Sequence, residues 1–151
     1  MITKIASKLH QQLYQDVQSK IKDQFGWDVS NIPLIVSNTP RFNNGKPHLT
    51  MPPEEFGGCH TKDGIVLPTF KHWEKVRKNY GVEHIPPKSF AKIIAGHELG
   101  HEVYKNHLTE PEKKRWDSKL KNFSTEYTKY NPRNNTPEER FSEYVARAVS
   151  T

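Results

Sequence analysis

The sequence predicts a mixed α+β fold in which a small sheet packs against several helices. Apolar residues recur every three or four positions over much of the chain, which is the spacing of helices with one buried face. Two short runs of branched residues, "IPLIV" and "GIVLP", stand between turn-forming residues, as strands do. A chain of 151 residues with 33% hydrophobic residues suits a single modest core. We therefore expect one domain over residues 1–151.

The first predicted element is an amphipathic helix over about residues 2–24. Its apolar residues are Ile2, Ile5, Leu9, Leu13, Val17 and Ile21. Steps of three and four place these side chains on one stripe of a helix, which indicates that this stripe is buried.

The sheet is predicted within about residues 32–68. The run "IPLIVSN" is read as a strand because it is rich in branched residues and ends at turn-forming ones. In "CHTKDGIVLPTF", the residues Lys62, Asp63 and Gly64 separate two extended pieces, which favours a hairpin. The segment "RFNNGKPHLTMPPEEFGG" between these elements is rich in turn residues and is expected to be irregular.

Four helices are predicted after the sheet region. The first ends at Gly81, and the second runs over about residues 88–106, after the breaker "HIPPKS". The third is predicted over "TEPEKKRWDSKLKNFSTEYTKY" and begins with Thr109 as its N-cap. The last covers about residues 137–149, where Thr136 is the expected N-cap and a proline takes the first helical position.

Charge and apolar content limit the classes of partner. The net charge is +6, but the basic residues alternate with acidic ones, as in "EPEKKRWDSKLK". Such alternation is typical of a solvated helix face, so we expect no nucleic-acid partner. Neither a signal peptide nor a run of eighteen apolar residues is recognisable, which predicts no membrane partner and a location in the cytoplasm or delivery by a non-classical route. The single cysteine, Cys59, excludes an intramolecular disulfide.

The segment "HELGH" at residues 97–101 is a candidate metal site. His97 and His101 are four positions apart on a predicted helix, so both imidazoles project to the same side and can reach one tetrahedral ion. The two histidines share a stripe with Phe90, Ile94 and Tyr104. We therefore predict that His97 and His101 bind Zn²⁺.

Glu98 is the candidate general base beside that ion. It lies about 100° around the helix from His97, close enough to contact water on the metal without ligating it. Zinc held by three protein groups lowers the pKa of water toward neutrality. An adjacent carboxylate can then accept the proton as the water attacks a carbonyl group.

His107 is one candidate for the third ligand. Its spacing matches the metzincin pattern HExxHxxGxxH, in which the glycine allows the chain to leave the helix and return a histidine to the metal. Tyr104 stands at the glycine position. Metzincins also need a methionine turn after the motif, whereas the two methionines of this sequence, Met1 and Met51, lie before it. We therefore expect the helix to continue and to carry His107 away from the ion.

A glutamate from a later helix is the alternative third ligand. Residues 117–125 contain no glutamate, which excludes a ligand about twenty residues beyond His101. Further along the chain stand Glu126, Glu138, Glu139 and Glu143. The last two are four positions apart on one helical face, so one can ligate the metal while the other orients a ligand histidine.

"HELGH" followed by "EERFSEYVARAV" resembles the gluzincin pattern of the anthrax lethal factor-like metallopeptidases and the Pro-Pro endopeptidases, over about residues 60–149. This resemblance implies a zincin-like fold, with a small twisted sheet on the active-site helix, and zinc-dependent endopeptidase activity on a protein or peptide. It also implies that Glu139 is the third ligand and Glu143 the carboxylate behind a ligand histidine. In these families a tyrosine before the ligand glutamate donates to the oxyanion, and the candidates here are Tyr130 first and Tyr127 second.

Other readings of the same residues stay open. The chain could be a non-catalytic zincin-fold binding or regulatory protein of phage or mobile-element type, a DNA-associated metalloprotease, or a protein with a structural zinc site. The hairpin could supply an edge strand that pairs with the backbone of an extended substrate. Cys59 and His60 could cap the zinc in a latent form.

Overall fold

A computed structural model of the chain describes residues 8–39 and 56–150. The α-helices and strands of this part are, in chain order, α1 (Lys8–Phe25), β1 (Leu34–Val36), β2 (Cys59–Thr61), β3 (Gly64–Leu67), α2 (Phe70–Asn79), α3 (Pro87–Asn106), α4 (Glu110–Lys119), α5 (Glu126–Tyr130) and α6 (Pro137–Val149), and a short 3-10 helix at Pro132–Asn134 precedes α6. The predicted α+β class is therefore confirmed. None of the helices in these two ranges has the length and apolar character needed to cross a membrane.

The sheet has the strand order β1-β3-β2, with β3 in the centre. β1 runs parallel to β3, and β2 runs antiparallel to it. Thr61 pairs with Gly64, so Lys62 and Asp63 form a two-residue hairpin turn, as predicted. All four residues of β3 are buried, because a central strand is covered on both faces.

The boundaries of α3 and α6 agree closely with those expected from the sequence, whereas residues 109–130, predicted as one helix, form α4 and α5 with a break at residues 120–125. α3 begins one residue earlier than predicted, at Pro87, and α6 has the predicted bounds. Thr109 and Thr136 are the N-caps of α4 and α6, and each side chain accepts a hydrogen bond from the third residue of its helix. Residues 2–7 of the predicted first helix, and residues 41–55 of the segment expected to be irregular, lie outside the described ranges.

α3 is the central helix of the described part. It contacts α1, α2, α6 and both strands of the hairpin. Its fully buried residues are Ala91, Ala95, Leu99 and Val103. These residues are four positions apart and form the stripe that enters the core. The stripe with His97 and His101 lies on a different side, beside α6.

α3 and α6 approach each other closely because α3 has glycines at the contact. A Cβ atom on Gly96 would lie 2.9 Å from the Cα of Ala146, and one on Gly100 would lie 2.8 Å from the Cα of Ser142. These distances are too short for any larger residue unless the helices separate. The small residues on both helices therefore bring the acidic first half of α6 next to the histidines of α3.

Candidate metal centre

His97 and His101 face each other one helical turn apart. Their Nε2 atoms are 3.2 Å apart, and their ring centroids are 4.9 Å apart at an angle of 75°. The side chain of His97 is only 6% exposed and that of His101 only 13%. Two imidazoles that present the same nitrogen to one small, shielded space are arranged as a pair of metal ligands.

Glu139 completes a triangle with the two histidines. Its Oε2 atom lies 3.0 Å from His97 Nε2, and its Oε1 atom lies 3.4 Å from His101 Nε2. In a tetrahedral zinc site with bonds of about 2.0–2.1 Å, ligand atoms are about 3.3 Å apart. Glu139 Oε2 is also buried and receives no hydrogen bond of acceptable geometry, despite its short distance to His97. The three residues thus fit a zinc ion in two respects: their ligand atoms have the right spacing, and Glu139 Oε2 lacks a hydrogen-bond partner, whose place a metal could take.

The other nitrogen of each histidine is held by a second carboxylate from α6. Glu143 Oε2 lies 2.7 Å from His97 Nδ1, and Glu138 Oε2 lies 2.5 Å from His101 Nδ1. An ionised carboxylate only accepts hydrogen bonds, so each Nδ1 must donate. In the neutral imidazole this leaves the lone pair on Nε2, directed at the space shared with Glu139. Such pairs of histidine and carboxylate are typical behind zinc ligands.

The contact of Glu143 is the one that the family resemblance implied, whereas Glu138, one of the candidate glutamates for the third ligand, was not expected to contact His101. The only signal was the doubled "EE" at the start of α6. Glu138 lies about 100° around the helix from Glu139, so helical spacing placed it off the face shared with Glu143. Its contact with His101 depends on how α6 crosses α3, which a spacing rule does not describe.

The carboxylates make the pair of histidines strongly basic when no cation is present. Burial alone would lower the pKa of His101, but Glu138 and Glu139 outweigh it and raise the pKa to about 9. Burial is likewise outweighed at His97, whose pKa is raised well above its usual value by Glu139 and Glu143. Burial would raise the pKa of Glu139, but His101 and His97 hold it well below its usual range. The carboxylates of the centre therefore strongly favour a positive charge at the two histidines.

Glu98 lies beside the same space. One ligand atom from each of His97, Glu98 and His101 falls within 4.8 Å of the others. Both Glu98 and Glu139 are thus near enough to be considered as the third ligand. The oxygens of Glu139 lie 3.0 and 3.4 Å from the two Nε2 atoms, at the spacing of metal ligands. An ion held by the two histidines and Glu139 would have the Glu98 carboxylate beside it.

Tyr127 and Tyr130 are both on α5 and line the same cavity beside His97, but they differ in exposure and in ring contacts. The ring of Tyr127 packs edge-on against His97, with centroids 4.8 Å apart. Tyr130 is 64% exposed, and its ring packs against Tyr80. Burial, followed by the charge of Glu139, raises the pKa of Tyr127, so its hydroxyl stays protonated. From the sequence Tyr130 is the first candidate and Tyr127 the second, but it is Tyr127 that contacts His97.

His107 lies at the end of α3 and contacts a different carboxylate. α3 continues through Tyr104 as expected, and the Tyr104 hydroxyl donates to Asp117. His107 is the C-cap of the helix, with its Nε2 atom 3.6 Å from Glu102 Oε2. His60 Nε2 lies 3.0 Å from the other oxygen of Glu102. His60 and His107 thus flank Glu102.

A cavity of about 210 Å³ opens next to His97. Its apolar wall includes Val82, Ile85, Phe90, Ile93 and Ile94. His97, Glu98 and Tyr127 line it as well. Phe90 and Ile94, which share a helical stripe with the histidines, thus face the cavity. An apolar cavity with a few convergent polar groups is the usual form of a binding site for an organic substrate.

The comparisons with known proteins were negative. The sequence matches no protein-family model, no curated protein and no solved structure.

Proposed function

We propose that this chain is a zinc-dependent endopeptidase with a zincin-like fold of the gluzincin type. The observation that carries the proposal is the convergence of His97 Nε2, His101 Nε2 and a Glu139 carboxylate at spacings of 3.0–3.4 Å. Together with Glu98 beside them, these groups are the set that metal-assisted hydrolysis of a peptide bond requires.

Each residue has a defined role in this proposal. A zinc ion bound by His97, His101 and Glu139 would supply a Lewis acid that makes water acidic enough to lose a proton near neutral pH. Glu98 accepts that proton as the water attacks the carbonyl carbon, and then passes it to the leaving amine. Tyr127 is the candidate donor to the oxygen that becomes negative, because its raised pKa keeps it protonated.

The surroundings of the centre support an extended peptide as substrate. β2 lies at the end of the strand order in the described sheet and contacts α3. A substrate segment that paired with this edge would run along the active-site helix. The cavity walled by Ile94 and Phe90 would then receive an apolar side chain of the substrate.

The test compares the wild-type protein with its Glu98→Gln variant. Both are loaded with zinc, their metal content is measured, and each is incubated with a peptide library that is read by mass spectrometry. We expect zinc in both proteins and cleavage by the wild type alone. His107→Ala, a change at the end of the same helix, is the control and keeps both properties. A zinc-loaded wild type that cleaves no peptide would overturn the proposed activity.

A structural zinc site is the second candidate, and the closeness of Glu98 to both histidines favours it. In this case Glu98 would be a fourth ligand, and the ion would have no open position for a substrate. The same pair of proteins separates the two candidates. A structural site predicts that Glu98→Gln weakens zinc binding and that removal of zinc unfolds the protein.

A further inference from the structure

Thr125 connects two parts of the centre and is not used by the mechanism above. It is the N-cap of α5, where its Oγ1 atom accepts a hydrogen bond from Thr128 N at 3.4 Å. The hydroxyl of Thr128 in turn accepts from Thr125 N at 2.9 Å, so the two residues form a capping box. A hydroxyl that accepts in this way still has one proton to donate.

That proton is donated to Glu143. The distance from Thr125 Oγ1 to Glu143 Oε1 is 2.6 Å, which is typical of a strong bond from a hydroxyl to an ionised carboxylate. Glu143 is almost completely buried, and its other oxygen accepts from His97 Nδ1 at 2.7 Å. Arg147 Nη2 is 3.8 Å from the oxygen that Thr125 contacts and helps to keep the carboxylate ionised. A continuous chain of hydrogen bonds thus runs from Thr125 through Glu143 to His97.

α5, the helix that Thr125 caps, also carries Tyr127. Tyr127 is two residues beyond the cap, and its ring lies against the ring of His97. One side chain therefore supports His97 from two directions: through Glu143 behind the ring, and through the start of the helix that places Tyr127 on it.

We propose that Thr125 is a positioning residue of the metal centre, and this inference rests on the proposed zinc function. By holding Glu143 in place, Thr125 orients the His97 imidazole with its Nε2 lone pair toward the ion. By capping α5, it fixes Tyr127 relative to the same ring. Loss of its hydroxyl should therefore weaken zinc binding, since partners behind metal ligands typically change metal affinity by about 10–100-fold.

The chain contains a matched control for this test. Thr109 forms the same capping box at the start of α4, where it accepts from Glu112 N and where Glu112 Oε1 accepts from Thr109 N. Thr109 is exposed. Thr109→Val and Thr125→Val therefore remove the same kind of cap, but only Thr125→Val removes the bond to Glu143.

The experiment measures zinc affinity by competition with a chelator, and unfolding temperature without metal, for the full chain and its variants. Thr125→Val should bind zinc about tenfold more weakly than wild type, while Thr109→Val retains wild-type affinity. Thr125→Ser keeps the hydroxyl and should restore binding. Thr125→Ala repeats the test with a smaller side chain if the valine does not fold. In a Glu143→Ala background, Thr125→Val should cause no additional loss, because the residue acts through Glu143.

Two outcomes separate this inference from the function on which it rests. Zinc binding by the wild type that is equal in Thr125→Val, Thr125→Ala and Thr109→Val overturns the role of Thr125 and leaves the proposed zinc site intact. A wild type that binds no zinc overturns both. Equal weakening in Thr125→Val and Thr125→Ser would also count against the proposal, since the serine hydroxyl can still reach Glu143.

Discussion

Gly100 of α3 lies against Ser142 of α6 so closely that a Cβ on the glycine would be 2.8 Å from the Ser142 Cα. This contact, inside the "HELGH" motif itself, sets the distance between the histidines and the glutamates. Gly100→Ala should push α6 away, destabilise the protein by about 1–3 kcal/mol and weaken zinc binding. Urea unfolding and chelator competition measure the two effects. Gly57→Ala is the control, because its Cβ would meet its neighbours at 3.7 Å, an ordinary contact.

Replacement of the third ligand tests the assignment of Glu139 directly. Glu139→Ala should lose zinc, because it leaves two histidines and no carboxylate at ligand spacing. His107→Ala should retain zinc, because His107 contacts Glu102 at the end of α3. Metal analysis of the purified variants provides the measurement. Zinc that is lost only in His107→Ala would support a three-histidine site and contradict the proposed one.

Glu138 should matter for metal affinity although it is not a ligand. Glu138→Ala removes the acceptor behind His101, and we expect zinc binding to weaken by about 10–100-fold. Stability of the metal-free protein should fall as well, because Glu138 is one of the two carboxylates that favour the protonated form of His101. Glu110→Ala, at an exposed position in the first turn of α4, is the control. Equal affinity in both variants would show that the bond from His101 to Glu138 does not serve the metal.

The two tyrosines of α5 should differ in their effect on turnover. Tyr127→Phe should keep zinc but lower kcat by about 10²–10³-fold, which is the usual cost of losing one donor to a developing oxyanion. Tyr130→Phe should leave kcat unchanged, since Tyr130 is 64% exposed and packs on Tyr80. Steady-state kinetics on one cleaved peptide compares them. A larger loss of kcat in Tyr130→Phe than in Tyr127→Phe would instead support Tyr130, the first candidate from the sequence, as the donor to the oxyanion.

Stability should depend on pH in opposite directions with and without zinc. The pKa of His101 in the folded, metal-free protein is about 9, above its ordinary value of 6.5. The stabilisation from its protonated form is thus complete below pH 6.5 and is lost as the pH rises through about 9. With zinc present, the metal competes with these protons, so stability should increase over the same range. Urea unfolding at several pH values, with chelator or with zinc, tests the sign of each slope.

The sequence analysis identified the parts of the centre that depend on local spacing. His97 and His101 are four residues apart on a helix, and this alone brings their imidazoles together. The bulky Tyr104 correctly indicated that α3 would continue and separate His107 from the pair. The N-caps Thr109 and Thr136 were also predictable, since capping is a contact within a few residues.

The parts that the sequence analysis missed depend on how distant elements pack. Glu138 reaches His101 only because α6 crosses α3 at glycines, and Thr125 reaches Glu143 across 18 positions of the chain. The choice between Tyr127 and Tyr130 likewise depends on the orientation of a five-residue helix. Periodicity describes one element at a time, so it carries no information on these contacts.

The close crossing of α3 and α6 also makes the centre portable. The proposed ligands and the carboxylates behind them come from residues 97–101 and 138–143, two short segments of these two helices. A designed helical hairpin that reproduced the contacts of Gly96 with Ala146 and of Gly100 with Ser142 would contain both histidines and all three α6 glutamates in register. The rest of the chain would then be needed for the substrate and for rigidity, and the two helices could be transplanted as a minimal zinc-binding unit.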